Sequence, residues 1–445
     1  MFADLQGHVL SGATEPALSK YEAAVHAFNI YRGDPVALVD QALDAAPEFV
    51  MAHILKAYLY AVATEPEATA EAKTIAIHVT GLEMNDRERS LLKALHDLLV
   101  NNWTAASVAL DYHNMRFPTD LLGLQVGILT DFFRANARNM RDRIARVLPH
   151  WSEDRPGYSI VLGLHAFGLE ECGDYARAEA AGREAVAREP MDCWAHHAVA
   201  HVMEMQGRAE DGIGWMQARE AHWAGGDNFF QIHNWWHKAL FHLAIDQHEE
   251  ALVIYDREVR GDQNATAMDL VDASALLWRL HLNGQDVGGR WSEVAAGWDA
   301  YADGKLYPFN DWHAGMAYLG AERDQDVDRL IETILREDTQ CETAQWARET
   351  GLPLIKGFAA FWRGDYGDAV ELLYPARYIA NSFGGSHAQR DIIDWTLTEA
   401  ASRAGMRSTA EALAQERLAL KPHSAININL LRQSRASGVE LLPAA

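Results

Sequence analysis

Residues 158–190 read YSIVLGLHAFGLEECGDYARAEAAGREAVAREP, two amphipathic runs joined at a short turn around Gly173 and closed by Pro190. Gly173 recurs as Gly207, thirty-four residues on. A period of this size marks stacked helix-turn-helix units, each of which can hide its apolar face only against the next. Earlier segments repeat the plan. Residues 17–31, 35–45, 48–63 and 67–78 read as amphipathic helices punctuated by Gly33, Pro47 and Pro66. Asn85 caps a helix running to about residue 100, and a partner helix follows up to Pro118. Later units drift, since Gln247 comes forty residues after Gly207, and further turns fall at Gly364 and Gly405. Strand-like alternation is scarce, so the chain reads as all-α.

Small residues where paired helices approach, an aromatic after the turn at Tyr175 and Pro after the second helix follow the tetratricopeptide layout. The expectation is an all-α, tetratricopeptide-like helical-repeat solenoid, a superhelix of antiparallel helix pairs. At 445 residues the chain exceeds one ordinary core, but an array in which each repeat touches only its neighbours can run on as a single domain. That domain is expected to span 1–445, with divergent helical repeats over 1–150 and the candidate site in 151–445.

Composition excludes several roles. A formal charge of −24 argues against nucleic acid or an anionic membrane as partner, because phosphate backbones call for a basic stripe. The one basic cluster, residues 134–146, spaces its arginines as on a solvated helix face. No run of eighteen apolar residues predicts a membrane span. The opening MFADLQGHVLSGATEP lacks the basic start and apolar core of a signal peptide, and Cys172, Cys193 and Cys341 are too few and scattered for a disulfide framework. A reducing cytoplasm is the expected setting, with Cys193 and Cys341 as buried, inert thiols.

Residues 193–242 hold seven of the twenty histidines and five of the fourteen tryptophans. His197 and His201 are four apart, Glu204 follows three later, and His233 and His237 are again four apart, so each set shares one face of a helix. Counted back from the turns at Gly207 and Gln247, His197 and His237 both stand ten residues away. Equivalent positions of stacked repeats sit on adjacent first helices, which usually line the concave side. Both pairs are therefore expected to face one groove. Further along, Asp269 and Asp272 fall on another first helix, Asp311 and His313 on the next, and Ser386, His387, Arg390 and Asp391 open a third after Gly384 and Gly385.

The segments HHAVAHVMEMQGR, HNWWHKALFHL, DLVDASALLWRL, FNDWHAGMAYLG, GLPLIKGFAAFWRGDYGDAVELLYPAR and GGSHAQRD together resemble the family of tetratricopeptide repeat protein 38 over most of the chain, least in the first 150 residues. The resemblance implies an irregular tetratricopeptide superhelix and a cytoplasmic protein. It implies no particular reaction.

Two chemistries suit these residues. His197, His201, His233 and His237, with Glu204 or Asp272, can hold a divalent transition metal, because imidazoles four apart on a helix reach one ion. No His-Glu-x-x-His motif is present, and the same histidines also suit hydrogen-bonded positions between helices. Alternatively they act as metal-free acids and bases, with His313 and His387 beside them and Asp272, Asp311 or Asp391 orienting an imidazole. Arg390 would hold a substrate oxygen, and Glu204, Trp236 and Asp311 would line the pocket. Ser386 suits a nucleophile or an anion donor at a helix start, and equally a plain N-cap. Trp194, Trp215, Trp223, Trp235 and Trp236 at helical spacing fit inter-repeat core.

The leading expectation is a protein that binds a small polar or carbonyl-containing molecule, with hydrolase or lyase turnover. The alternative is a non-catalytic protein-protein interaction scaffold that holds a peptide. A homodimer is the default assembly for either.

Overall fold

The computed structural model describes residues 2–261, 266–337 and 340–436. The expected domain of 1–445 also takes in residues 1, 262–265, 338–339 and 437–445, which lie outside the described residues. The chain is all-α and of the tetratricopeptide-like helical-repeat class, with helices following one another from Glu15–Ile30 to Ala425–Ala436. The one departure among the described residues is a two-residue antiparallel pairing of Phe2–Ala3 with Val9–Leu10.

Local chemistry sets the helix starts. Proline occupies the first turn of Glu15–Ile30, Pro35–Ala45, Pro66–Thr80 and Pro308–Gly320, where its missing N–H costs nothing. Asn85 accepts the Glu88 N–H while the Glu88 carboxylate takes the Asn85 N–H, a reciprocal box that begins the helix Asp86–Leu99. Turns close on left-handed residues. Gly173, Gly207, Gly364 and Gly405 all have φ between 68 and 87°, a conformation glycine enters without Cβ strain.

The corresponding left-handed residue after the helix Gln231–Ala244 is Asp246, at φ 67°, not Gln247. This corrects the register read from the sequence. His237 stands nine residues before its turn and His197 ten, so the residue equivalent to His197 is Trp236. The cause is that aspartate tolerates the left-handed region, so a turn without glycine ended the helix one residue early.

The chain resolves into two compact units. The first comprises Met1–Val202, Arg219–Asn234 and Gln340–Thr343. In it the helix Tyr158–Glu171 packs on its hairpin partner Tyr175–Arg188 and on Ala137–Val147. The approach to Ala137–Val147 is close at Gly168, where a Cβ would stand 2.6 Å from the Arg141 amide nitrogen. Arg138 and Arg146 are exposed, as the solvated face expected for residues 134–146 requires, and Arg143 departs from it. It is fully buried, bonded to Asp131 at 2.8 Å and to Asn114 at 2.8 Å. Its guanidinium lies over Gly127, where any side chain would collide with it. A carboxylate and an amide replace the water that burial removes.

The second unit comprises Met203–Ala218, Trp235–Thr339 and Ala344–Ala445. Here Ala267–Leu282 packs on Pro308–Gly320 and on His387–Arg403, and Pro308–Gly320 packs in turn on Leu352–Arg363. Trp278, Trp298 and Trp312 are fully buried at these contacts. The indole N–H of Trp298 donates to Ser274 Oγ at 2.9 Å and that of Trp278 to Thr396 Oγ1 at 2.9 Å, which satisfies these two of the three buried donors. Among the described residues no helix is long and apolar enough to cross a membrane.

Candidate functional site

In the first unit the helix Cys193–Met205 begins at Asp192, whose carboxylate accepts the Ala195 N–H at 2.9 Å. Burial pushes the Asp192 carboxyl up to about 7, against the pull of the backbone N–H groups it accepts. One turn inside this helix come His197 and His201, whose ring centroids lie 4.4 Å apart in an edge-on arrangement. His233, from the first turn of Gln231–Ala244, meets them, with its Nε2 3.1 Å from Nε2 of His197. One ligand-capable nitrogen from each of these three rings lies within 4.8 Å of the others, and all three residues are buried.

Phe167 stacks on His197 at 5.5 Å and meets His201 in a T-shaped arrangement at 5.2 Å, while Phe230 packs on both His197 and His233. This aromatic collar fixes the rings and keeps the surroundings apolar. Behind His201 stand Glu170 and Glu171, at the end of the helix Tyr158–Glu171 and both buried. Nδ1 of His201 is 3.4 Å from Oε2 of Glu170. This is an ion-pair distance and not a hydrogen bond, so it sets a carboxylate beside the ring without fixing its tautomer. His237 follows His233 by one turn on the same helix and is fully buried.

In the second unit the predicted residues surround an arginine. Arg279 is fully buried, its guanidinium 5.1 Å from the centroid of the Trp236 ring, and it donates to the Ala388 carbonyl at 2.7 Å. Burial lowers it to about 10, and the carboxylates of Asp391, Glu204 and Asp272 act in the opposite sense. Glu204 accepts from Lys421 Nζ at 2.6 Å. Asp391 takes two bonds from the Arg417 guanidinium, at 2.9 and 3.1 Å. Burial would raise Asp391, but Arg417, Lys421 and Arg279 outweigh it and hold the carboxyl at about 2.

The other predicted residues there are engaged locally. Ser386 Oγ accepts the Gln389 N–H at 3.2 Å in a reciprocal cap on His387–Arg403. Arg390 donates to the carbonyls of Gly384 and Gly385. Asp311 accepts the Gly304 N–H at 3.0 Å, and burial raises its carboxyl well above the usual range. His313 donates Nδ1–H to the Phe309 carbonyl at 2.8 Å, and burial lowers it to about 3, so the ring is neutral near pH 7. Asp269 caps its own helix with Thr266. His387 is solvent-exposed, apart from the buried residues on either side of it.

Trp194, Trp223, Trp235 and Trp236 are buried and Trp215 is half-buried. Cys193 is buried as expected, but Cys341 is half-buried.

Sequence reasoning missed Glu170 and Glu171. A signal was present: two acids in the last turn of a helix oppose its dipole and need a reason to be there. It also missed Arg279, seven residues after Asp272 and therefore on the same helix face, within the apolar run SALLWRL.

No family model matches the sequence. Among solved structures the chain is similar to human IFIT1, as a dimer with m7Gppp-AAAA, at 11% identity and TM-score 0.44, covering 97% of each chain. It is also similar to the Cut9 and Hcn1 hetero-tetramer of APC/C, at 15% identity and TM-score 0.40, covering 94% of this chain and 83% of that one. Yeast Tom70 is similar at 11% identity and TM-score 0.32, covering 95% of this chain and 89% of that one.

Proposed function

We propose that this chain is a non-catalytic binding protein that holds a peptide or protein partner on its helical repeats. One observation carries the reading. Four of the residues expected to bind a substrate are already engaged in local structure: Ser386 as a helix cap, Arg390 on the carbonyls of Gly384 and Gly385, Asp311 on a loop amide and Asp391 on Arg417. Nucleophiles and oxyanion donors need a free face toward a substrate.

Turnover of the purified full chain on ester, amide and hydroxy-carbonyl substrates tests this, with Ser386→Ala and His387→Ala alongside. The binding reading expects no saturable turnover in any of them. Saturable turnover by wild type that disappears in a folded variant overturns it. A second reading, a site for a small polar or carbonyl-containing molecule with acid-base turnover, is favoured by the convergence of His197, His201 and His233. Membership of the tetratricopeptide repeat protein 38 family and a cytoplasmic setting belong to the same proposal, supported by the sequence segments above and by three cysteines in no disulfide.

A further inference from the structure

We propose that His197, His201 and His233, all in the first unit, bind one divalent first-row transition metal of zinc-like preference. Three observations point the same way. The first is the number and kind of donors. Three buried imidazoles offer nitrogens within 4.8 Å of one another, and imidazole suits zinc and its neighbours in the row better than calcium or magnesium.

The second is direction. Nε2 of His197 and Nε2 of His233 come from different helices and face each other at 3.1 Å. Two imidazole nitrogens on one tetrahedral zinc, each bonded at about 2.0–2.1 Å, stand about 3.3 Å apart. The observed separation is therefore close to what an ion between them requires. The third is the support behind one ligand. Glu170 Oε2 lies on the Nδ1 side of His201, at 3.4 Å. Carboxylates beside ligating histidines are usual companions of such sites, and Glu170 stands at ion-pair distance, short of a hydrogen bond.

The bland alternative is that the three rings hydrogen-bond one another within the core. It accounts for the pair His197 and His233, but gives no reason to place Glu170 and Glu171, two buried carboxylates, at the back of His201. Phe167 and Phe230, which pack on these rings, offer no ligand atom, so the imidazoles are the ligands at hand. The site is a property of the fold and is the same whether the chain holds a partner or turns over a substrate.

The test is metal binding by the purified full chain after dialysis against a chelator, titrated with Zn(II) in competition with a chromogenic chelator. Co(II) substitution serves as the spectroscopic reading of a nitrogen-rich four-coordinate site. One equivalent is expected in wild type, none in His197→Ala/His233→Ala, with far-UV circular dichroism as the folding control. Glu170→Gln keeps the three rings and is expected to weaken affinity by about 10- to 100-fold. If the double variant does not fold, His201→Gln and His233→Gln are read singly, each expected to weaken binding. Wild type that takes up no Zn(II), or variants that bind it as wild type does, overturns the proposal.

Discussion

Asp192→Asn is expected to stabilise the protein near neutral pH. Asp192 is 1% exposed, and its carboxyl is pushed from an ordinary 3.8 up to about 7, chiefly by burial. The folded state therefore disfavours the charged form. An unfolded chain gives up this proton near pH 3.8, whereas the folded chain keeps it until about pH 7. Between those values the unfolded state binds fewer protons, so stability falls as pH rises across the window and levels off above it. Displacing a carboxyl that far corresponds to about 4 kcal/mol, an order-of-magnitude ceiling.

Asparagine cannot ionise, and its side-chain oxygen can still accept the Ala195 N–H that starts the helix of His197 and His201. The expected gain at pH 8 is about 2–4 kcal/mol, and at pH 4 it is close to zero. The assay is denaturant unfolding of both proteins at pH 4, 6 and 8, with amide hydrogen exchange in residues 193–205 as the local reading. Two compact units need not unfold in one step, so the exchange reading is the more direct. A difference that does not change with pH, or a variant less stable than wild type at pH 8, refutes the reasoning.

Gly168→Ala should lower thermal stability by about 1–3 kcal/mol, because the Cβ would stand 2.6 Å from the backbone of Arg141, which cannot swing aside. Gly214→Ala, on an open face of Ala209–Ala218, should instead gain up to about 1 kcal/mol from helix propensity alone. Ser386→Ala should cost about 1 kcal/mol through the lost cap, and Ser386→Asn should recover most of it in the same unfolding assay. A Ser386→Asn variant as unstable as the alanine one would mean that the hydroxyl does something other than cap.

Much of the fold was legible because it is local. The helix starts at Pro35, Pro66 and Asn85, and the turns at Gly173 and Gly207, follow from backbone preferences that a few neighbouring residues decide. The His197 and His201 face was legible for the same reason, since a spacing of four is a helix face wherever the helix goes. The turn at Asp246 was not, because a residue that merely tolerates the left-handed region leaves no mark as plain as glycine.

Burial was legible only in part. The arginines of residues 134–146 read as a solvated face, yet Arg143 is buried, because its partners Asp131 and Asn114 come from other helices. Asp391 and Arg390, offered by the sequence as substrate ligands, bond in the fold to Arg417 and to the carbonyls of Gly384 and Gly385, partners that no local spacing announces.

By itself the sequence determined an all-α repeat chain, its helix boundaries to within a few residues and the two histidine faces, since each depends on contacts only a few residues apart. Only the tertiary structure decided that His233 meets His197, thirty-six residues away, and that Glu170 stands behind His201. The physical reason is that helix register fixes which side chains share a face, whereas the packing of one helix on another fixes which faces meet.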